Sequence, residues 1–183
     1  AQHALVRAVT RGSDENRIEV IKLLDEVSRM DVQASYTQEN CGDIIIRLLN
    51  GVDGSDLAIR SLAFGTDALR DKKIRGVRFE GCYFYETSVE LTELNNCSFK
   101  DTRFAQLRFY DSTSLSDLRF DKCTVDALVF VDGHREFWDP AEIRRQLENR
   151  GVAYDDPAVP SVGATTSGQS SPEIDDLEKI FRS

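Results

Sequence analysis

Along the first seventy residues, apolar side chains recur at three- and four-residue steps, the spacing that gathers them on one face of a helix. Val20, Leu23, Leu24, Val27 and Met30 make one stripe. Ile45, Leu48, Leu49 and Val52 make a second, which stops at Gly51 and Gly54. Ser13 stands as an N-cap before Asp14 and Glu15, acids that the positive end of a helix dipole favours. A third stripe begins at Ser55 or Asp56 and runs through Ile59, Leu62 and Ala63 towards Leu69, with Asp53-Gly54-Ser55-Asp56 read as a helix-initiating turn. Residues 1–73 are therefore expected to form a layer of short antiparallel helices.

From Ile74 the period changes to five. Ile74, Phe79, Phe84, Val89, Leu94, Phe99, Phe104 and Phe109 are followed, after one extra residue, by Leu115, Phe120, Val125 and Phe130. Neither a 3.6-residue helix nor an alternating strand repeats in this way. Two residues before each large residue comes one that is mostly small or β-branched, among them Val77, Cys82, Thr87, Thr92, Cys97, Thr102, Thr113 and Cys123. The residue between them is mostly polar: Arg78, Ser88, Glu93, Ser98, Arg103, Arg108, Ser114 and Arg119. Such a tripeptide suits an extended segment with two side chains inward and one outward. Gly81, Asn95, Asn96, Asp101, Asp111 and Asp117 supply turn chemistry in the remaining positions. The extra residue near Tyr110–Ser114 predicts a bulge or loop at one corner.

This pattern resembles the pentapeptide-repeat family over residues 74–130, about a third of the chain, and residues 74–131 are expected to form the solenoid. The large residue is kept, and the family's usual Asp or Asn before it is largely lost. The resemblance implies an α+β chain: an N-terminal helical layer, a short right-handed quadrilateral pentapeptide-repeat β-helix with one unit per face and three coils, and a C-terminal helical cap. On such a coil Cys82 and Cys97 face inward from different sides. Cys82 and Cys123 share a side two rungs apart, on the order of 10 Å, too far for a disulfide. With Cys41, these cysteines read as buried small hydrophobes.

Open solenoid ends expose apolar interior and unpaired backbone, so caps are expected. Residues 132–156 supply one, with Pro140 as first helical residue, Gly151 as stop, and Phe137, Trp138, Ala141, Ile143 and Leu147 as its apolar contacts. Trp138 is read as a packing residue and His134 as a loop histidine. Residues 157–172 are Pro-, Gly- and Ser-rich and read as a flexible linker. It leads to residues 173–183, where Ile174, Leu177, Ile180 and Phe181 open an amphipathic helix that stops before completion, so the chain is expected to be a truncated piece of a larger protein.

Charge narrows the partners. The net charge is −9, of which residues 131–183 carry −5, and the repeat holds nine acidic and seven basic residues. A phosphate-tracking surface needs clustered Lys and Arg, so direct nucleic-acid binding is disfavoured. No apolar run reaches the ~18–20 residues of a membrane helix, and the first residues lack a secretory signal, so a cytoplasmic location is expected. The cysteines show no metal spacing, and no nucleophile elbow, phosphate loop or dinucleotide motif is present.

No catalytic, cofactor-binding or metal residue is therefore assigned, and the chain is expected to be a non-catalytic recognition or regulatory module. Its order of parts is similar to the C-terminal sensing region of bacterial NACHT-like (STAND) signalling NTPases, which implies a defence or signalling role. Two other readings stand beside it: a self-standing DNA mimic that modulates gyrase, and a scaffold or dimerisation domain. The implied partner is another protein or another part of its own longer chain, with a homo-oligomer also open. Outward-facing Arg78, Tyr83, Tyr85, Arg103, Arg108, Tyr110 and Arg119 are the candidate contact residues, because Arg and Tyr concentrate interface energy.

Overall fold

The computed structural model describes residue 9, residues 11–30 and residues 35–155 of the chain. The expected linker and final helix lie outside these residues. Two helices, α1 (Asp14–Met30) and α2 (Ser35–Leu49), precede a parallel β-solenoid of about four turns. The Asn16 N–H meets the Ser13 hydroxyl at 3.4 Å, as the N-cap reading requires.

The solenoid's strands fall into three sheets. One is β1 (Ala58–Arg60), β4 (Arg78–Glu80), β7 (Ser98–Lys100), β10 (Leu118–Asp121) and β14 (Val152–Tyr154). The second runs β2 (Ala63–Phe64), β5 (Tyr83–Val89), β8 (Arg103–Phe109), β12 (Leu128–Phe130) and β13 (Arg135–Phe137), with β11 (Thr124–Val125) also on β8. The third is β3 (Lys73–Arg75), β6 (Glu93–Asn95) and β9 (Ser114–Ser116). The seven-residue β5 and β8 each pass over two faces, so the coil has four sides.

Four rows of large residues therefore line the interior in register. Ile59, Phe79, Phe99 and Phe120 make the first, and Phe64, Phe84, Phe104 and Val125 the second. Val89, Phe109 and Phe130 make the third, and Ile74, Leu94 and Leu115 the fourth. In the lower coils successive phenylalanines in a row stack, at 4.5 Å for Phe64–Phe84 and 4.9 Å for Phe79–Phe99, and neighbours across rows meet edge-on at 5.3–5.8 Å; at the last coil this reverses, with Phe99–Phe120 edge-on at 5.5 Å and Phe104–Phe120 stacked across rows at 5.4 Å. Both arrangements suit the aromatic quadrupole. The smaller residue two places earlier has its own role. Cys82, Cys97 and Thr102 donate to the Ile59, Ile74 and Phe79 carbonyls of the coil below, and Thr92 and Thr113 to those of Leu69 and Val89. A short hydroxyl or thiol donor fits there without displacing the large residue.

Three of the four corners turn through a residue with positive φ. Ser61, Gly81, Asp101 and Lys122 stack at one, Gly76, Asn96 and Asp117 at the next, and Gly51, Asp71 and Leu91 at the third. A side chain at Gly76 would meet Ser55 at 2.6 Å, so this corner needs glycine for space as well as for backbone freedom. The extra residue lies where expected, since Glu93 pairs Ser114, a step of 21 in place of the 20 that separates Lys73 from Glu93.

Residues 55–69 are not helical. They form β1, β2 and the turns of a first coil, with Leu57, Ile59, Leu62, Phe64 and Leu69 buried, so the solenoid starts before Ile74 and has about four turns, not three. Asp53 Oδ1 accepts from the Ser55 N–H and hydroxyl, a turn that leads into the coil and not into a helix. The misreading has a physical origin. Inward positions at i−2 and i with a period of five leave gaps of two and three residues, and the gaps of three imitate a helical stripe.

The first stripe also needs correction. On α1 the buried side is Ile21, Asp25 and Ser28, while Leu23 and Val27 are 59% and 42% exposed. The second stripe holds, with Ile45, Leu48, Leu49 and Val52 all buried. Near the other end β13 folds back antiparallel on β12, and α3 (Pro140–Glu148) follows. Asp139 caps α3 by accepting from the Glu142 N–H at 2.9 Å, and Ile143 and Leu147 are buried on the last coil. Trp138 departs from its expected packing role, being 64% exposed. It precedes the cap, on the rim and not on the buried side of α3. His134 sits in the exit turn, as expected.

Candidate functional site

Repetition fixes the outer surface as firmly as the interior, because each outward side chain lies above its counterpart one coil earlier. Arg78, Ser98 and Arg119 form one such column on the face of β4, β7 and β10. On the next face Tyr83 aligns with Arg103 and Thr124. The Tyr83 and Tyr85 rings meet edge to face at 4.7 Å, and Tyr85 is 47% exposed. Arg108 belongs to the third face, beside Ser88 and Val129, and half-buried Tyr110 follows it at the corner. The seven candidate residues thus spread over three faces. Tyr83, Tyr85 and Arg103 form one contiguous patch.

Cross-coil ion pairs tie this surface together. Arg60 meets Glu80 at 2.9 Å, Arg70 meets Glu90 at 2.8 Å, and Lys73 meets Glu93 at 2.8 Å. Arg103 reaches Asp126 at 2.7 Å and Arg108 reaches Glu86 at 3.4 Å. The Asp126 hydrogen bond raises the Arg103 pKa further above its already high ordinary value. These exposed pairs are screened by solvent, so they set register and surface pattern more than stability.

Cys41, Cys82 and Cys97 carry free thiols. Burial pushes Cys82 up to about 11 and also raises Cys97 and Cys41, which keeps them as neutral thiols near pH 7. Among the described residues, no group of three or more His, Cys, Asp or Glu has metal-binding geometry.

A concavity of about 650 Å³ lies between α2 and the corner of the first coil. Asp43, Arg47, Asp67, Arg70 and Lys72 line it, with charges of both signs. Sequence reasoning missed this groove because it placed a helix over residues 55–69. The extension of the five-residue period back through Leu69 and Phe64 to Ile59 was the available signal. A second groove of about 370 Å³ lies beside β11 and α3, lined by Val125, Trp138, Pro140, Ile143 and Tyr154.

Fold and surface together define a parallel β-solenoid of about four turns, with helices at its N-terminal end and a further helix near its C-terminal end. Among the described residues no helix is long and apolar enough to cross a membrane. Compared with protein-family models, with curated proteins and with solved structures, the chain matches none.

Proposed function

We propose that the chain is a recognition or regulatory module of the pentapeptide-repeat kind, whose work is to bind another protein or another part of a longer chain of its own. The observation that carries this reading is the patch of Tyr83, Tyr85 and Arg103 on a flat, rigid solenoid face. Rigid aromatic side chains give large contact area at low entropic cost, and Tyr and Arg dominate binding hot spots. The order of helices, solenoid and cap favours the sensing region of a larger bacterial signalling or defence NTPase of the NACHT-like type as the setting.

The test places a photo-crosslinking residue at Tyr85 and, separately, at Ser114 on the opposite side, in the native gene product in its own cells. A discrete crosslinked species from position 85 alone supports the reading; equal yields from both positions contradict it. The same blot reports the native mass. A value tens of kilodaltons above 20.6 kDa agrees with a sensing segment, and one near 20.6 kDa moves the assignment to a self-standing solenoid. The charge-compensated faces weigh against the DNA-mimic alternative, since a duplex mimic needs uncompensated acidic rows. Unchanged gyrase supercoiling at high protein excess is the outcome expected.

A further inference from the structure

The face built from β1, β4, β7 and β10 carries two outward columns of side chains. Arg60, Glu80, Lys100 and Asp121 stand in register in one of them, and their signs alternate from coil to coil. Ala58, Arg78, Ser98 and Arg119 make the other, with Arg78 and Arg119 exposed. Within the chain the alternation is only half used. Arg60 meets Glu80 at 2.9 Å and Arg78 approaches Glu80 at 4.0 Å. Among the described residues no ion pair reaches Lys100, Asp121 or Arg119, although Lys100 and Asp121 lie opposite each other in the ladder.

A column of four alternating charges takes the opposite sign at every position when it is reversed. Consider two copies set face to face about a two-fold axis that runs along the strands, midway between β4 and β7. Arg60 then lies against the partner's Asp121 and Glu80 against the partner's Lys100, each pair occurring twice, as an isologous contact requires. The second column passes the same test. Arg78 meets the partner's Ser98, whose hydroxyl accepts from a guanidinium, and Arg119 meets the partner's Ala58, so no arginine faces an arginine. A shallow hollow of about 130 Å³ over Ser98 and Phe99 gives that arginine room. At the adjoining corner Gly81 meets the partner's Asp101, and Ser61 meets the partner's Lys122.

We propose that this face is an interface with a second copy of the chain, in which two solenoids lie antiparallel and their Arg60–Glu80–Lys100–Asp121 columns pair charge against charge. Three rung steps of ~4.8 Å make the patch on the order of 14 Å long and two columns wide. That is smaller than the ~800 Å² per partner of a standard interface, so the dimer is weak, reversible and sensitive to salt. The Tyr83, Tyr85 and Arg103 patch lies on the next face, outside this contact, and the proposal does not rest on it.

Sedimentation equilibrium of the full chain tests this with Glu80→Lys and Lys100→Glu. At about 0.1 M salt, where charges act over ~10 Å, the wild type is expected to dimerise with Kd below ~1 mM, and at least ~10-fold more weakly at about 1 M salt, where they act over ~3 Å. Each single variant sets like charges across the axis twice and is expected to weaken the dimer at least ~10-fold. Mixed in equal amounts, the two variants oppose every charge with its opposite, so a heterodimer is expected to form. The double exchange Glu80→Lys with Lys100→Glu also restores the homodimer, although it puts like charges side by side along each column. Charges that served only the ladder within one chain would give neither rescue. A wild type that stays monomeric at about 1 mM overturns the proposal. So does a mixture of the two variants with no heterodimer, and so does a Lys100→Glu variant that dimerises as the wild type does.

Discussion

At the N-terminal end of the solenoid the exposed edge is met by hydrogen bonding and close backbone approach, whereas near the C-terminal end it is met by two apolar side chains and a folded-back strand. Asp25 of α1, 4% exposed, accepts the Arg60 N–H of β1 at 2.8 Å and also holds Arg29 at 3.1 Å. Arg17 donates to the Leu48 and Asn50 carbonyls at the end of α2, and Asn50 Oδ1 accepts the Lys73 N–H. At Gly42 a Cβ would stand 2.5 Å from the Ala63 carbonyl of β2, so α2 lies directly on that strand. At the other end α3 buries Ile143 and Leu147, β13 covers β12, and β11 is left with one edge unpaired among the described residues. The difference teaches that a helical layer can satisfy the backbone of a terminal rung strand by strand, while a single short helix mainly covers the interior.

Breaking what the two ends share should have the largest effect. Phe84 lies between Phe64 and Phe104 in the stack, so Phe84→Ala should cost about 3–5 kcal/mol in denaturant unfolding. Leu147→Ala tests the apolar end and should cost about 2–5 kcal/mol, with faster exchange in α3 and β14 before the rest. Asp25→Ala tests the polar end. It leaves the Arg60 N–H without its partner and should cost about 1–3 kcal/mol, with exchange rising first in β1.

Alkali should sharpen the contrast, because the buried Cys82 thiol lies nearer the helix-covered end. Burial raises its pKa from 9.0 to about 11, so between those values the folded state keeps a proton that the unfolded chain releases. Stability from this source is complete below pH 9 and falls as pH rises towards 11; Cys82→Ala should flatten that fall in pH-dependent melting. Smallest of all, Leu23→Ala on the exposed side of α1 should change stability by less than about 0.5 kcal/mol.

Much of this architecture was legible in the sequence, for reasons specific to solenoids. A five-residue period with a large apolar residue has few physical solutions, so the interior rows from Ile74 to Phe130 and the extra residue before Leu115 could be read from spacing, while the four sides came from the resemblance to pentapeptide repeats. The first coil was open to a helical reading because Ile59, Leu62 and Leu69 also fit a helical stripe, and only the five-residue step through Ile59, Phe64 and Leu69 separates the two. On α1, Asp25 occupies a buried position through its bonds to Arg60 and Arg29, contacts that hydropathy does not register, and this rotates the buried side away from Leu23. The candidate surface was legible only as residue types. Which of Arg78, Tyr83, Tyr85, Arg103, Arg108, Tyr110 and Arg119 share a face depends on coil register, which is a three-dimensional fact.

The central claim, that the helical layer seals the first rung of a solenoid that includes residues 55–69, is tested most directly by single-residue amide exchange in the intact protein. The account predicts an Arg60 amide on the outermost strand protected to within about tenfold of Arg78 on the next rung, since Asp25 holds one and the Leu57 carbonyl the other. An Arg60 amide exchanging at the rate of an open strand edge, or a helical exchange pattern across residues 55–69, would contradict it.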